Sequence, residues 1–294
     1  MPRFGILPVI LRELLVERTL PREPEPDLVM ADADQVAAYA HAGRIDGVMS
    51  AAYLFHSARI SQVIQGRAQV IDLGCGPATQ LAQIAELNPG TSFIGVELSE
   101  EMLLQAKQHV QSLGLKNVDF VQGDMTELKH LPSGSADGVI STMALHHLPS
   151  IGHLERCFSE IRRILKPQGA LYLTDFGRLK SLRSVIYFAY MNAQHQPHIF
   201  SLDYERSLRA AFLVDEFANL ATSRLGAEYA TCSTFPLPIL VLIKSTDGAL
   251  SPEQRQRFKT MRENLPEEYR GDLDLIRRLF RMGGLKNDPF SLPR

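Results

Sequence analysis

Cysteine, net charge and long hydrophobic runs are all scarce in this sequence. Its 294 residues include three cysteines, Cys75, Cys157 and Cys232, and 31 Lys or Arg residues against 33 Asp or Glu residues. Three cysteines without CxxC spacing argue against a disulfide framework and against a zinc cage, so we expect no metal. The near-neutral charge argues against a surface built for nucleic acid or acidic membrane. With 45% apolar and 22% charged residues, the composition is that of a globular protein.

No run approaches the roughly 20 apolar residues of a transmembrane helix, so we expect no membrane span. The short apolar run at 4–11 is interrupted by Pro8 and Arg12 and lacks a small-residue cleavage site, unlike a signal peptide. We therefore predict a cytoplasmic protein with an amphipathic N-terminal helix over 5–17. This helix would dock on the core or on a second subunit of a homodimer, and membrane contact is the less favoured alternative.

Short apolar runs alternate with helical patterns from residue 68 to residue 176. Two further β-rich runs, 229–234 and 239–245, are too close in sequence for a parallel crossover and predict an antiparallel hairpin. The alternation predicts an α/β fold, in which parallel strands form a sheet covered by helices on both faces. The five runs predicted as parallel strands are 68–73, 92–98, 118–121, 138–142 and 170–176.

Three parts follow from this pattern. Residues 1–66 form N-terminal helices, around 34–42 and 48–65, that serve as a lid. Residues 67–246 form the α/β domain, in which the long segment 177–226 is a helical cap insertion of two helices, 182–193 and 204–221. Residues 247–294 form a polar helical C-terminal tail.

Acidic residues and glycines stand where ligands bind in such a sheet, at the carboxyl ends of the strands. Asp72 precedes a turn with Gly74 and Gly76, where the backbone can pass close beneath a ligand. Glu97 ends the second strand and can accept both hydroxyls of a ribose, and Asp124 follows the third strand and can accept an adenine amino group. Three carboxylates at successive strand ends suit a nucleoside with a positive charge.

On these residues the sequence resembles the class I S-adenosylmethionine-dependent methyltransferases, in the small-molecule branch with the ubiquinone and menaquinone C-methyltransferases. The resemblance covers residues 68–176: VIDLGCG at 70–76 resembles the first motif, and STMALHHL at 141–148 the fourth. It implies a Rossmann-like, doubly wound sheet of seven mostly parallel strands with an antiparallel last strand. It also implies S-adenosyl-L-methionine as cofactor and S-adenosyl-L-homocysteine as product. One departure is Ala78, which replaces the third glycine of the first motif.

The resemblance also assigns the cofactor-binding residues by position. Ser141 contributes its backbone carbonyl to the amino group, and Cys75 belongs to the glycine turn as a small buried residue. The full predicted set is Asp72, Gly74, Cys75, Gly76, Glu97, Leu98, Asp124, Met125 and Ser141. A nicotinamide dehydrogenase is the rival for this fold, but Asp72 and Asp124 are not expected there.

Catalytic and substrate-binding candidates lie after the fourth strand and in the insertion. His146 is at the mouth of the predicted site and can take a proton from an acceptor atom. The remaining candidates would wall an apolar or aromatic pocket for a small-molecule substrate. They are His147, Asp175, Tyr187, Tyr190 and His195. The alternatives are methylation of protein or RNA, and a non-catalytic regulatory protein that binds the cofactor.

Overall fold

A computed structural model describes residues 5–26 and 47–291 of the chain. Its centre is a seven-stranded sheet with the order β3-β2-β1-β4-β5-β7-β6. Strands β1 to β5 are parallel, whereas β7 pairs antiparallel with β5 and with β6. The strands are β1 Gln69–Leu73, β2 Ser92–Glu97, β3 Val118–Gln122, β4 Ala136–Thr142, β5 Leu165–Phe176, β6 Ala230–Ser233 and β7 Leu240–Lys244. The predicted doubly wound sheet with its antiparallel strand is confirmed.

Helices cover both faces of the sheet in the part of the chain that is described. They are α1 Leu7–Leu15, α2 Ser50–Val63, α3 Thr79–Leu87, α4 Glu100–Ser112, α5 Ile151–Ile164, α6 Leu182–Tyr190, α7 His198–Ala210, α8 Val214–Leu220, α9 Pro252–Asn264 and α10 Glu267–Met282. A 3-10 turn, Leu145–His147, follows β4. The helix predicted at 34–42 lies outside the described residues. No helix in the described ranges is both long and apolar enough to cross a bilayer.

The two faces of the sheet bury separate hydrophobic clusters. Val70 and Tyr172 face a layer that includes α2, α3 and α10, whereas Ile71 and Leu173 face α5 and α8. This division follows from the alternation of side chains along a strand. In the C-terminal segment, α9 and α10 contact α2 and bury Phe258 in the first cluster, so these helices are packed on the domain.

The cap insertion has three helices where the sequence predicts two. The predicted second helix, 204–221, begins instead at His198 and is interrupted after Ala210. The cause is a contact with the sheet end: Phe212 bridges to Gly177, and its carbonyl accepts a hydrogen bond from the Arg178 amide. Residues 211–213 are therefore extended, and α8 starts afresh at Val214.

Candidate active site

The turn after β1 uses its two glycines for different reasons. Gly74 has φ +71°, and a Cβ on it would lie 2.4 Å from Cβ of Ala144. Gly76 has φ +53°, but a Cβ there would have no atom within 4 Å. The first glycine is therefore required by packing against the β4 turn, whereas the second borders the open space of a cleft. Ala78, in the position of the third motif glycine, takes φ +58° just before α3.

Glu97 joins the end of β2 to this turn. Its Oε2 accepts a hydrogen bond from the Gly76 amide at 3.0 Å. Its Oε1 accepts from the amides of Leu98 at 2.9 Å and Ser99 at 3.0 Å. These three backbone donors fix the carboxylate at the cleft wall, the position that the sequence predicts for a ribose-binding acid.

Asp72 is a buried carboxyl group directly beneath the glycine turn. Burial, followed by the charge of Glu97, raises its pKa to about 8. Its Oδ1 has no hydrogen-bond partner among the described residues. A buried carboxyl oxygen without a partner is costly, and a cationic ligand group near the turn would supply its missing interaction. This orphaned oxygen fits the positively charged S-adenosylmethionine that the sequence predicts.

The predicted cofactor residues divide into those that line the cleft and those that do not. Lining residues from the set are Gly74, Gly76, Glu97, Leu98, Asp124 and Met125. The Asp124 side chain forms a local turn, with its Oδ1 accepting from the Thr126 amide at 2.7 Å. Asp72 and Cys75 are the predicted residues of this turn region that do not line the cleft. Burial raises the pKa of the Cys75 thiol well above its ordinary value.

Ser141 lies inside β4, short of the cleft. It is fully buried, and its hydroxyl donates to the Leu73 carbonyl at 2.8 Å, which ties β4 to β1. The residues of this strand end that line the cleft are Met143 and Ala144. Met143 has φ +52° and is held by a hydrogen bond from its amide to the Thr174 carbonyl.

His146 is oriented by Asp175 at the end of β5. Its Nδ1 lies 2.7 Å from Asp175 Oδ1, and its amide donates to Asp175 Oδ2 at 3.0 Å. Asp175 is fully buried and also accepts from the Phe176 amide at 2.6 Å. With Asp175 as acceptor at Nδ1, the free lone pair of a neutral His146 ring is at Nε2. Asp175 therefore contacts the predicted base, His146. It is not among the residues that line the cleft or the cavities described below.

His147 lines the cleft and pairs with Glu25, a residue that sequence reasoning missed. Nδ1 of His147 lies 2.5 Å from Glu25 Oε2, and the other oxygen of Glu25 accepts from Ser207 at 2.8 Å. Burial would raise the pKa of Glu25, but the hydrogen bond and the charge of His147 oppose it and lower the pKa to about 2. Burial would lower the pKa of His147, but its hydrogen bond with Glu25 and the nearby carboxylates raise it.

Donor atoms of Glu25, His146 and His147 lie within 4.8 Å of one another, as in a metal-binding group. Two of these atoms, on Glu25 and His147, are already joined by a hydrogen bond. The ion pair that they form explains why the three side chains lie close together. We therefore assign the cluster to an ion pair beside the predicted base.

Arg22 holds the segment that carries Glu25 against the site. Its guanidinium donates to the carbonyls of Ala210 and Pro149, each at 2.7 Å, and to those of His146 and Leu148. It also lies over the Phe212 ring, 3.9 Å from the centroid. Residues 21–26 thus form a strap that joins the 3-10 turn to the cap. No local pattern indicated this, because the partners lie 124 to 188 residues away in the sequence.

Two further cavities adjoin the cleft at Met143. One contains His146, His147, Phe176 and Tyr204, and the second is a larger, predominantly apolar chamber. The second chamber's lining includes Met143, Phe176, Phe188, Met191, Phe200 and Tyr204. Met143 lines all three cavities, so it marks their common boundary.

The predicted cap residues lie outside this chamber's lining. Tyr187 borders a surface groove with α1, and Tyr190 donates from its hydroxyl to Glu205 at 3.2 Å. His195 is exposed on the loop before α7. Phe188 and Met191, each one position further along the chain than the predicted tyrosines, line the chamber instead.

Comparison with known proteins places the chain among methyltransferases. A family profile described as a methyltransferase domain matches residues 64–210, half of the chain. The trans-aconitate 2-methyltransferase of Deinococcus radiodurans is 41% identical over 104 residues, which cover 35% of this chain and 36% of that protein. A demethylmenaquinone methyltransferase of Listeria welshimeri is 32% identical over 113 residues, covering 38% of this chain and 46% of that protein. The chain thus matches less than half the length of either relative.

A solved structure shares the fold. It is described as a SAM dependent methyltransferase from Aquifex aeolicus, with a TM-score of 0.51 at 16% identity. The match covers 73% of this chain and 98% of that one. At this identity the likeness shows the fold alone, and it agrees with the seven-stranded sheet described above.

Proposed function

The chain belongs to the class I S-adenosylmethionine-dependent methyltransferase family, and we propose that it transfers a methyl group from this cofactor to a small molecule with an apolar body. The observation that carries the proposal is the position of Met143, which borders both the carboxylate-lined cleft and the apolar chamber. A cofactor in the cleft and an acceptor in the chamber would meet at this residue.

The cofactor supplies an already activated methyl group on a sulfonium, so the protein's main task is alignment. Asp72, beneath the glycine turn, would interact with the cationic part of the cofactor, and Glu97 at the cleft wall would accept the ribose hydroxyls. Asp124 and Met125, which also line the cleft, would contact the adenine. The backbone at Gly76 leaves the space that a ligand needs, since a Cβ would project into it.

The proposed acceptor chamber has a mainly apolar wall, which would favour an acceptor with an apolar body. Phe176, Phe188 and Phe200 contribute rings to its wall, and Met191 gives an adaptable apolar surface. Such a chamber suits a small molecule better than an extended polymer, which needs an open groove. This supports a small-molecule acceptor over a protein or an RNA.

His146 would accept the acceptor's proton when the reacting atom carries one. The bound cofactor would supply the methyl group, and the proton displaced from the acceptor atom would move to Nε2 of His146. Asp175 keeps Nδ1 protonated and so leaves Nε2 free. The ion pair of Glu25 and His147 holds the adjoining turn in place.

The test is a metabolite comparison with S-adenosylmethionine carrying a deuterated methyl group. Purified protein is incubated with a cell extract, and the small-molecule, protein and RNA fractions are analysed by mass spectrometry. We expect label in a small, organic-soluble compound, and His146→Ala to lower its formation about a hundredfold or more if the acceptor must lose a proton. His109→Ala, on α4 away from the site, is the matched control and should behave as the parent. Label confined to protein or RNA, or no transfer by protein that binds the cofactor, would overturn the proposal.

A further inference from the structure

The N-terminal helix α1 turns a row of leucines to the outside. Leu7, Leu11, Leu14 and Leu15 are 62%, 51%, 58% and 79% exposed. Their spacing puts them in a sector of about 100° on one side of the helix. The opposite side is anchored: Val9 is buried, and the Glu13 carboxylate accepts from the amides of Lys180 and Ser181 at 2.7 and 3.1 Å.

Helix α6 extends this surface. Leu182 and Ile186, one turn apart at its start, are 43% and 40% exposed and border a groove that α1 also lines. Together they form what we call the leucine patch: Leu7, Leu11, Leu14, Leu15, Leu182 and Ile186. Half of the twelve exposed large hydrophobic residues in the described ranges belong to this patch. Scattered single exposed residues are ordinary, but a contiguous apolar patch marks an interaction surface.

The charged residues beside the leucine patch are predominantly basic. Arg12 and Arg183 line the groove between α1 and α6, and none of the described residues that line this groove is acidic. Lys180 lies two residues before α6, and Arg18 lies just beyond α1 next to the exposed Glu17, the one exposed acid in this set. Glu13, the acid within α1, is buried and directed at backbone amides, so its charge is turned inwards. An apolar patch with a basic border is complementary to a lipid surface that carries anionic headgroups.

A second copy of the chain is the competing occupant. A two-fold symmetric dimer places the same patch from each copy face to face. The basic border would then meet itself, and like charges across an interface are unfavourable. The charge pattern therefore favours a membrane over a subunit.

We propose that the leucine patch docks this protein on the surface of an anionic lipid bilayer. Ile6, immediately before α1, and Phe188 of α6 also line the apolar chamber. The elements that carry the leucine patch therefore form part of the chamber wall. If the proposed function holds, docking would place the chamber beside acceptors dissolved in lipid. The docking itself does not depend on that function.

The test is flotation with vesicles made of equal parts phosphatidylcholine and phosphatidylglycerol, with pure phosphatidylcholine vesicles as comparison. We expect the protein to float with the anionic vesicles and much less with the neutral ones. Leu11→Asp should lower the partition coefficient about tenfold or more, because burial of one leucine contributes about 1.5 to 3 kcal/mol. Leu104→Asp is the matched control, since Leu104 on α4 is also 51% exposed but lies outside the leucine patch, and it should float as the parent does.

Three results would overturn the docking proposal. The first is a parent protein that does not float with anionic vesicles, and the second is equal loss in the Leu11→Asp and Leu104→Asp variants. The third is a dimer of the parent in light scattering that Leu11→Asp dissociates, which would make the leucine patch a subunit interface. Calorimetric binding of S-adenosylhomocysteine by each variant verifies the fold, and failure of this binding in the parent would count against the cofactor site and not against docking.

Discussion

Glu25 places its carboxylate 2.5 Å from Nδ1 of His147, where the cofactor cleft meets the apolar cavities. The two residues are 122 positions apart in the sequence, and Arg22 holds the strap that carries Glu25 in place. The side chain of Glu25 is 8% exposed, so the carboxylate depends on its partners for stabilisation. The N-terminal strap is therefore part of the site.

Glu25→Gln should destabilise the protein by about 1.5 to 3 kcal/mol, because it removes the charge-assisted hydrogen bond between the Glu25 carboxylate and His147. The loss should depend on pH. Because folding lowers the pKa of Glu25 from 4.5 to about 2, its ionised carboxylate stabilises the folded state at pH values above 4.5. This stabilisation is lost as the pH falls towards 2. Because folding raises the pKa of His147 above 6.5, its protonated ring stabilises the folded state at pH values below 6.5. This stabilisation is lost as the pH rises through the pKa of the folded state.

Urea unfolding of the parent and the Glu25→Gln variant across pH 3 to 9 measures this difference. The difference in free energy of unfolding should be largest between pH 4.5 and pH 6.5, the ordinary pKa values of the two side chains. Glu23→Gln, in the same strap, removes the more exposed pair with Arg209 and should cost less than about 1 kcal/mol. An equal loss in both variants would contradict the assigned role of Glu25.

Asp72→Asn should stabilise the cofactor-free protein near pH 7 to 8. Because the folded state raises the pKa of Asp72 to about 8, it binds a proton that the unfolded chain has already lost. Stability of the parent should therefore fall as pH rises from about 4 to 8, and the variant should lack this fall. Thermal melts at several pH values check it, with the exposed Asp119→Asn as control. A parent whose stability rises over this interval while the variant's does not would refute the buried, protonated state.

Replacement by alanine should have different effects on protein stability and cofactor binding at the two glycines of the β1 turn. Gly74→Ala should cost about 3 kcal/mol or more, since its Cβ would meet Ala144 at 2.4 Å in an unfavourable backbone region. Gly76→Ala should cost only about 1 to 2 kcal/mol, from its positive φ, but should weaken cofactor binding about tenfold or more. Unfolding and binding measurements separate the two effects. Undiminished cofactor affinity in Gly76→Ala would show that the ligand lies elsewhere.

Asp175→Asn should lower kcat about a hundredfold or more and leave KM for the acceptor nearly unchanged. The carboxylate accepts from both the amide and Nδ1 of His146, and an amide side chain cannot accept on both sides. The ring of His146 would then lose its preferred tautomer. Nitrogen NMR of the ring gives a readout of the tautomer independent of turnover. An unchanged tautomer with lowered kcat would mean that Asp175 acts in another way.

The sheet and the positions of the three acids around the glycine turn could be predicted from the sequence because their signals are local. Each strand is a short apolar run, and Asp72, Glu97 and Asp124 follow from strand ends. The role of the Ser141 backbone carbonyl stays a prediction, since the cleft-lining residues of this strand end are Met143 and Ala144, two and three positions further along.

The strap and the cap could not be predicted in the same way. Arg22 and Glu25 lie in a proline-rich stretch whose local pattern is that of a connector, and their partners are distant in sequence. In the cap, the sequence identifies an apolar helix but not its rotation. A helix turns 100° per residue, so Phe188 faces the chamber while Tyr187 faces the groove with α1.

Calorimetric titration with S-adenosylmethionine at pH 7, in two buffers of different ionisation enthalpy, tests whether the cofactor binds beside Asp72. We expect binding with net release of protons, because a cation beside Asp72 lowers the raised pKa of that carboxyl group. Asp72→Asn should bind more weakly and without this release. Folded parent protein that gives no binding heat in either buffer and does not retain the cofactor in equilibrium dialysis would contradict the account.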